Sequence, residues 1–588
     1  MEKDLQNKIG HIIREKFHID DFTPELIPTK KGFEGDITLP VFPLVKQLRR
    51  NPEEIAEIIG ETLIRSEAYI DKYNVVGGFL NLTYTPQYFL EKVKKHALEE
   101  NFGLNRVDKT QPATMVEYSS PNTNKPLHLG HIRNNLLGYS ISEIIKATGK
   151  PVIKTQIIND RGIHICKSML AWQKFGHGET PETTGIKGDH LVGKYYVEFD
   201  KHYRKQVAEL TEKGMPEAQA KKEAPLMKEA QAMLRKWEEG DPETRQLWEM
   251  MNRWVLEGFA ETYKELGVDF DVEYFESDTY LLGKKIVEKG LEKGIFYRKE
   301  DGSVWVDLTD EGLDEKLLLR ADGTSVYITQ DLGTAVKRFA EFDIDTLIYV
   351  VGNEQDYHFK VLFAILKKLG YSWAEKLYHL SYGMVELPHG KMKSREGTVV
   401  DADDLMKEMT ETAGKISEEL GKLEGFDEEE KKSLYIIIGI AALKYYILKV
   451  DPKKGILFDP KKSIDFNGNT GPFLQYAYVR IRSILNKAGE FEPDWNKSTV
   501  LDEREKSLIK ALLRFPEVLA LSAEGLNPAI LANYIYDIVK KYNVLYQNLP
   551  ILQAEESQRN LRLALSLWTG NVIRNGLKLL GIDVPDKM

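Results

Sequence analysis

One cysteine, Cys166, is all the thiol chemistry in 588 residues. It excludes an intrachain disulfide framework and fits a reducing compartment. Without a supporting constellation, a lone thiol reads as a packing residue. Long apolar runs are also lacking: the longest, Leu434 to Leu443, is soon followed by Lys444 and is too short to span a bilayer. A buried helix is expected there. Met1-Glu2-Lys3-Asp4 has no basic segment leading into an apolar core, so a cytoplasmic rather than a secreted protein is expected. His164, His177 and His190 lack cysteine partners and compact spacing, so no structural metal is expected. Overall positive charge is missing too, the formal net charge being −10. From Lys461 to the end, however, the balance is +3, leaving −13 for the rest. A polyanion can therefore approach the C-terminal part.

What is present suits a soluble globular chain: 42% hydrophobic and 29% charged residues, with length for several cores. Residues 1–108 read as a small separate domain. There Asn51, Pro52 and Glu54 form a helix-start signature, and Ile55, Ile58, Ile59 and Leu63 supply one apolar face. Val75 to Leu82 offers short strands around a Gly77-Gly78 turn. An α/β domain is expected over 109–402. In it, Ala113–Tyr118 predicts a strand, Ile132 to Ile145 a helix ending near Gly149, and Pro151–Ile158 the next strand. That order is expected of a parallel sheet. Residues 166 to about 265 interrupt the rhythm with charged, mostly helical sequence. Strand patterns resume at Asp345–Val351 and Tyr378–Val385. Helical spacing then dominates, over a connective region 403–460 and a bundle 461–588.

Two segments suggest chemistry. His128-Leu129-Gly130-His131 stands between a polar loop and the amphipathic helix. The two imidazoles can hydrogen-bond phosphate oxygens, Gly130 permits close backbone approach, and a helix start is expected to present unpaired N–H groups to an anion. Surface histidines beside a packing glycine are the competing account. Gly390-Lys391-Met392-Lys393-Ser394-Arg395-Glu396-Gly397 is the second: its three cations suit a triphosphate and the charge of a departing pyrophosphate, although a solvated basic loop would look the same. Together they suggest nucleotidylyl transfer.

The chain resembles class I arginyl-tRNA synthetases. Ser119-Ser120-Pro121-Asn122 leads into HxGH, and Lys391 to Arg395 takes the place of the family's second signature. Asp322 to Asp331 and Gln355-Asp356-Tyr357-His358 resemble arginine-specific blocks. Asn469 to Ala477 resembles the start of the family's anticodon-binding domain, and Leu580 to Met588 its usual ending. The resemblance implies a Rossmann-type catalytic domain with an inserted subdomain, a small N-terminal α+β tRNA-binding domain and a C-terminal all-helical anticodon-binding domain. It implies a monomer that takes ATP with Mg²⁺ carried on the phosphates, L-arginine and tRNA(Arg), forms arginyl-adenylate and esterifies the tRNA 3′ end. Lacking likeness to a GxGxxG site, the chain is not expected to bind NAD.

By the same resemblance, His128, Gly130, His131, Lys391, Met392, Lys393, Ser394 and Arg395 bind ATP. Glu117, Asn122, Glu276, Tyr327, Asp331 and Gln355 bind arginine, Glu117 by a charge-assisted pair. For Tyr327, a core aromatic is the alternative. From their own chemistry, Tyr476, Tyr478, Arg480 and Arg482 combine rings and cations and are expected to stack on unpaired bases and contact phosphate, with helix packing as the alternative for the tyrosines. Two departures stand out: Ser394 where the family has a second lysine, and Asn159-Asp160-Arg161-Gly162 where Gly-Asp-Trp-Gly is frequent. An enzyme of another amino-acid specificity and a non-catalytic RNA-binding protein are the rival functions.

Overall fold

The computed structural model describes residues 2–30, 32–386, 400–419, 425–495 and 499–588. The chain divides into two compact units.

The first unit combines Met1–Phe102 with Ile481–Leu513 and Lys540–Asn571. Its four-stranded antiparallel sheet contains β1 (Ile27–Pro28), β2 (Ile37–Pro40), β3 (Ile70–Val76) and β4 (Phe79–Tyr84), in the order β1-β2-β4-β3. Gly77 and Gly78, with φ of 54° and 82°, close the two-residue β3–β4 hairpin, a turn that needs positive φ at both centres. Helices α1 (Glu2–Phe17), α2 (Phe42–Leu48), α3 (Pro52–Ser66) and α4 (Pro86–His96) accompany the sheet. Asn51 caps α3 by accepting from the Glu53 N–H at 2.9 Å. Ile55, Ile59 and Leu63 then face a core shared with Ile9, Leu39 and Leu80. Within the same unit, the Asp36 carboxylate receives Lys506 at 3.1 Å and Lys510 at 2.9 Å. The Trp568 and Phe102 rings pack at right angles, their centres 5.1 Å apart.

The second unit holds Gly103–Arg480, Arg514–Val539 and Val572–Met588. It opens with β5 (Ala113–Glu117), α5 (Leu129–Ala147) and β6 (Val152–Ile158). Gly138 lets α5 lie on the end of β5, since a Cβ there would fall 1.9 Å from that of Tyr118. Six helices follow: α6 (Ile163–Phe175), α7 (Pro181–Thr184), α8 (Gly188–Glu212), α9 (Glu217–Glu223), α10 (Pro225–Glu239) and α11 (Pro242–Leu266). They stand between β6 and its parallel neighbour β7 (Val272–Phe275), as an insertion into the sheet rhythm. Next come α12 (Glu276–Thr279), α13 (Leu282–Glu292) and a second insertion that the strand patterns do not anticipate. This is a three-stranded antiparallel sheet of β8 (Phe296–Arg298), β9 (Val304–Val306) and β10 (Lys316–Leu319).

The main sheet is completed by β11 (Ile344–Gly352) and β12 (Leu377–Tyr382), with α14 (Tyr327–Glu341) before β11 and α15 (Asp356–Lys368) after it. Its order is β12-β11-β5-β6-β7, every pair parallel. The chain moves outward from β5 through β6 to β7, then returns to the other side of β5. That reversal places a topological switch point at the carboxyl ends of β5 and β11, where open α/β sheets bind ligands. β13 (Val385–Glu386) pairs in parallel with β14 (Ile456–Leu457), and between them lie α16 (Ala402–Glu419) and α17 (Glu428–Leu448). The apolar run Leu434–Leu443 falls within α17, most of it buried. Among the described residues no helix is long and apolar enough to cross a membrane.

Candidate active site

HxGH forms the first turn of α5. His128 is its N-cap, in extended conformation, and its Nδ1 accepts from the Gly130 N–H at 3.1 Å. His131 answers: its Nδ1 accepts from the His128 N–H, also at 3.1 Å. The arrangement is a capping box built from two imidazoles instead of Ser and Glu. Each ring spends Nδ1 as an acceptor, so in the neutral tautomer Nε2 carries the proton. Burial first, then Lys125, brings His128 down to about 4. Burial, His128 and Lys125 hold His131 well below its ordinary range. Both rings are therefore neutral Nε2–H donors at pH 7.

One expectation is corrected here. The helix start does not offer its backbone N–H groups to an anion. Leu129 N–H donates to Val400 O at 3.1 Å, Gly130 to the His128 ring, and His131 and Ile132 to His128 O at 2.8 and 3.1 Å. The imidazoles, not the helix amides, are left to meet a phosphate. His128 lines a cleft of about 1010 Å³ together with Asn122, Lys125 and residues of α8. Lys125, whose pKa burial lowers, is a cation that the sequence reading passed over although it stands three residues before His128. Lys391, Met392, Lys393, Ser394 and Arg395 lie outside the described residues.

A second, acidic group gathers at the switch point. Glu117 ends β5, buried, and its carboxylate accepts from the fully buried Arg338 of α14. Burial pushes the Glu117 carboxyl up and Arg338 opposes that shift. The expected direct pair between Glu117 and a substrate is thus pre-empted by a partner from the chain itself. The Arg338 guanidinium also lies over the ring of Tyr274, 4.8 Å from its centre. Glu276 opens α12, 9% exposed, with Arg161 Nη1 at 3.9 Å. Burial drives its carboxyl up to about 7 against the pull of Arg161. Asp331 raises the carboxyl of Glu117 and of Glu276 alike, and its own Oδ2 meets His358 Nε2 at 2.6 Å.

Around this acidic group Tyr327 is 75% exposed at the start of α14, which removes the core-aromatic alternative. Asn122 and Gln355 are exposed as well. The Asn159–Gly162 departure has a local account. Asp160, buried, accepts from Ser277 N and Oγ at 2.9 and 2.6 Å and so fixes the start of α12. Arg161, where the frequent pattern has Trp, lies 3.9 Å over the Tyr280 ring and donates to Glu238 at 2.7 Å.

On the helix Gly471–Ala488, Tyr478 is 7% exposed. Its ring belongs to helix packing, so the expected stacking on a base is corrected for this residue. Tyr476 and Arg480 are half-buried, with the guanidinium 4.9 Å over the ring, and Arg482 is exposed.

A parallel sheet of this order, with HxGH on the helix after its central strand, defines a class I aminoacyl-tRNA synthetase catalytic domain. Residues 94–459 match the family described as tRNA synthetases class I (R), catalytic domain. Residues 474–588 match the DALR anticodon binding domain, and 3–84 the arginyl tRNA synthetase N terminal domain. The arginine–tRNA ligase of Flavobacterium psychrophilum is 56% identical over 99% of this chain and 100% of its own length. That of Bacteroides thetaiotaomicron is 58% identical over 96% and 95%. The structure of Thermus thermophilus arginyl-tRNA synthetase superposes with a TM-score of 0.81 at 26% identity, each chain fully covered. The chain belongs to the class I arginyl-tRNA synthetase family. It is an enzyme, a ligase of the arginine–tRNA type, and family membership implies tRNA binding and use of ATP with Mg²⁺.

Proposed function

We propose that the enzyme activates L-arginine with ATP to arginyl-adenylate, releasing pyrophosphate, and then transfers arginine to the 3′ end of tRNA(Arg), releasing AMP. In the first step the arginine carboxylate, already ionised, attacks the α-phosphorus, a new O–P bond forms, and the bond to the bridging oxygen of pyrophosphate breaks. In the second a terminal ribose hydroxyl attacks the activated carbonyl and AMP departs. No general base is needed for the first step, so alignment and charge compensation carry it. The neutral Nε2–H groups of His128 and His131 hold phosphate oxygens, Lys125 with Lys391, Lys393 and Arg395 offsets the charge of the leaving group, and Mg²⁺ arrives on ATP.

The reciprocal His128–His131 capping at the switch point carries the ATP reading. For arginine, Glu276 and Asp331 receive the two cationic ends, with Asn122, Tyr327 and Gln355 on polar groups, and Glu117 holds Arg338 beneath them. Tyr476, Arg480 and Arg482 serve tRNA. The test is ATP–pyrophosphate exchange with each of the twenty amino acids, with and without cognate tRNA. Arginine-dependent exchange that requires tRNA supports the reading; faster exchange with another amino acid overturns it.

A further inference from the structure

The backbone that places His128 is held from a distant part of the sequence. Leu129 N–H donates to Val400 O at 3.1 Å and Ala402 N–H to Leu127 O at 3.0 Å, an antiparallel pairing centred on His128 and Asp401. The next side chain after this short strand, Asp403, accepts three donors from the inserted helices. They are Lys187 Nζ at 2.6 Å, His190 Nε2 at 2.9 Å and Thr262 Oγ1 at 2.8 Å. Lys187 and His190 bracket the start of α8 and Thr262 lies on α11. Asp189, fully buried, stands beside the same ammonium at 3.5 Å.

Asp189, His190 and Asp403 are close enough together to hold a cation. The Lys187 ammonium already stands against two of these carboxylates, so the cluster balances its charge without a metal. Burial works to raise the Asp403 carboxyl, yet its three donors bring it down to about 2. Three donors thus hold the carboxylate ionised at the end of the short strand that pairs with the HxGH turn.

We propose that Asp403 is a positioning residue for adenylate formation: by tying residues 400–402 to the inserted helices, it sets the HxGH backbone and so aims the His128 Nε2–H. The inference rests on the ATP reading above. A displacement of that donor weakens phosphate contact and misaligns attack, while the acidic arginine group keeps its own supports.

Asp403→Ala, Asp403→Asn and the near-isosteric Thr262→Val test it by ATP–pyrophosphate exchange in the presence of tRNA, with direct calorimetric titration of Mg·ATP. The expectation for Asp403→Ala is a fall in exchange kcat of about tenfold and an ATP KM raised about fivefold, with arginine KM within about twofold. Asp403→Asn and Thr262→Val should fall between it and the wild type, in the same ATP-selective pattern. Unchanged ATP parameters, or equal loss in kcat with both KM values intact and a matching loss of folded protein, would overturn it. If Asp403→Ala does not fold, Thr262→Val decides by the same split. Absence of arginine-dependent exchange in the wild type would instead sink the functional reading, and the Mg·ATP titration of wild type against Thr262→Val still decides the inference: equal affinity overturns it.

Discussion

The two halves of the site meet desolvation in opposite ways: it lowers the pKa of two histidines and raises that of two carboxyl groups. At the HxGH end, burial strips the charge from two histidines and the backbone consumes their Nδ1 atoms, leaving fixed neutral donors. At the acidic end, burial works against the charged form of the Glu117 and Glu276 carboxyl groups, and the chain opposes it with cations. Arg338 stands on Glu117 and Arg161 near Glu276. The same physical force, desolvation, therefore takes the titration of His128 and His131 below neutrality and lifts that of Glu276 to about 7. In the proposed reading a polyanionic substrate is met by hydrogen bonding and by lysine and arginine cations, a monocationic one by partly compensated buried charge.

Substitutions on either side of the site separate the two behaviours. Glu117→Ala should cost about 3 kcal/mol of folding stability, because it strands the Arg338 guanidinium in the interior; urea denaturation measures this, and a loss below about 1 kcal/mol would mean that the face of the Tyr274 ring suffices. His131→Ala should lower the exchange rate about 100-fold by removing a preorganised donor, with arginine KM unaltered; a general acid role would instead give a loss that varies with pH near neutrality. Glu276→Gln should raise arginine KM about 30-fold, the value of one charge-assisted bond, and leave ATP KM alone. Arg482→Ala should weaken tRNA binding by only about threefold, as an exposed contact does, with a shallower salt dependence in a titration of tRNA.

Local patterns made the sheet start and the HxGH turn readable. Ala113–Glu117, Leu129–Ala147 and Val152–Ile158 carry their periodicity in consecutive residues, and the two histidines cap the helix through atoms only a few positions apart. What could not be read depends on distance along the chain. Arg338 reaches Glu117 across 221 positions, and nothing near Glu117 announces that its charge is already taken. Val400 likewise absorbs the Leu129 amide, which local reasoning left open for an anion. The β8–β10 sheet was missed because strands of three or four residues show too little alternation, and Lys299, Glu300, Asp301 and Gly302 between two of them look like loop. Tyr478 was ambiguous because a helix face is set by its neighbours in space, and here they bury it.

The most direct test follows arginine KM and ATP KM separately from pH 6 to pH 8 in tRNA-supported exchange. With the Glu276 carboxyl pushed up to about 7 by burial, a proton competes below that pH with the cationic end of arginine that we propose Glu276 receives, so arginine KM should rise toward about tenfold for each unit of acidification. ATP KM should stay flat, since His128 has already lost its proton by about 4. Equal pH dependence of the two KM values, or an ATP KM that alone follows a group near 6.5, would contradict the division of the site into a neutral end and a titrating one.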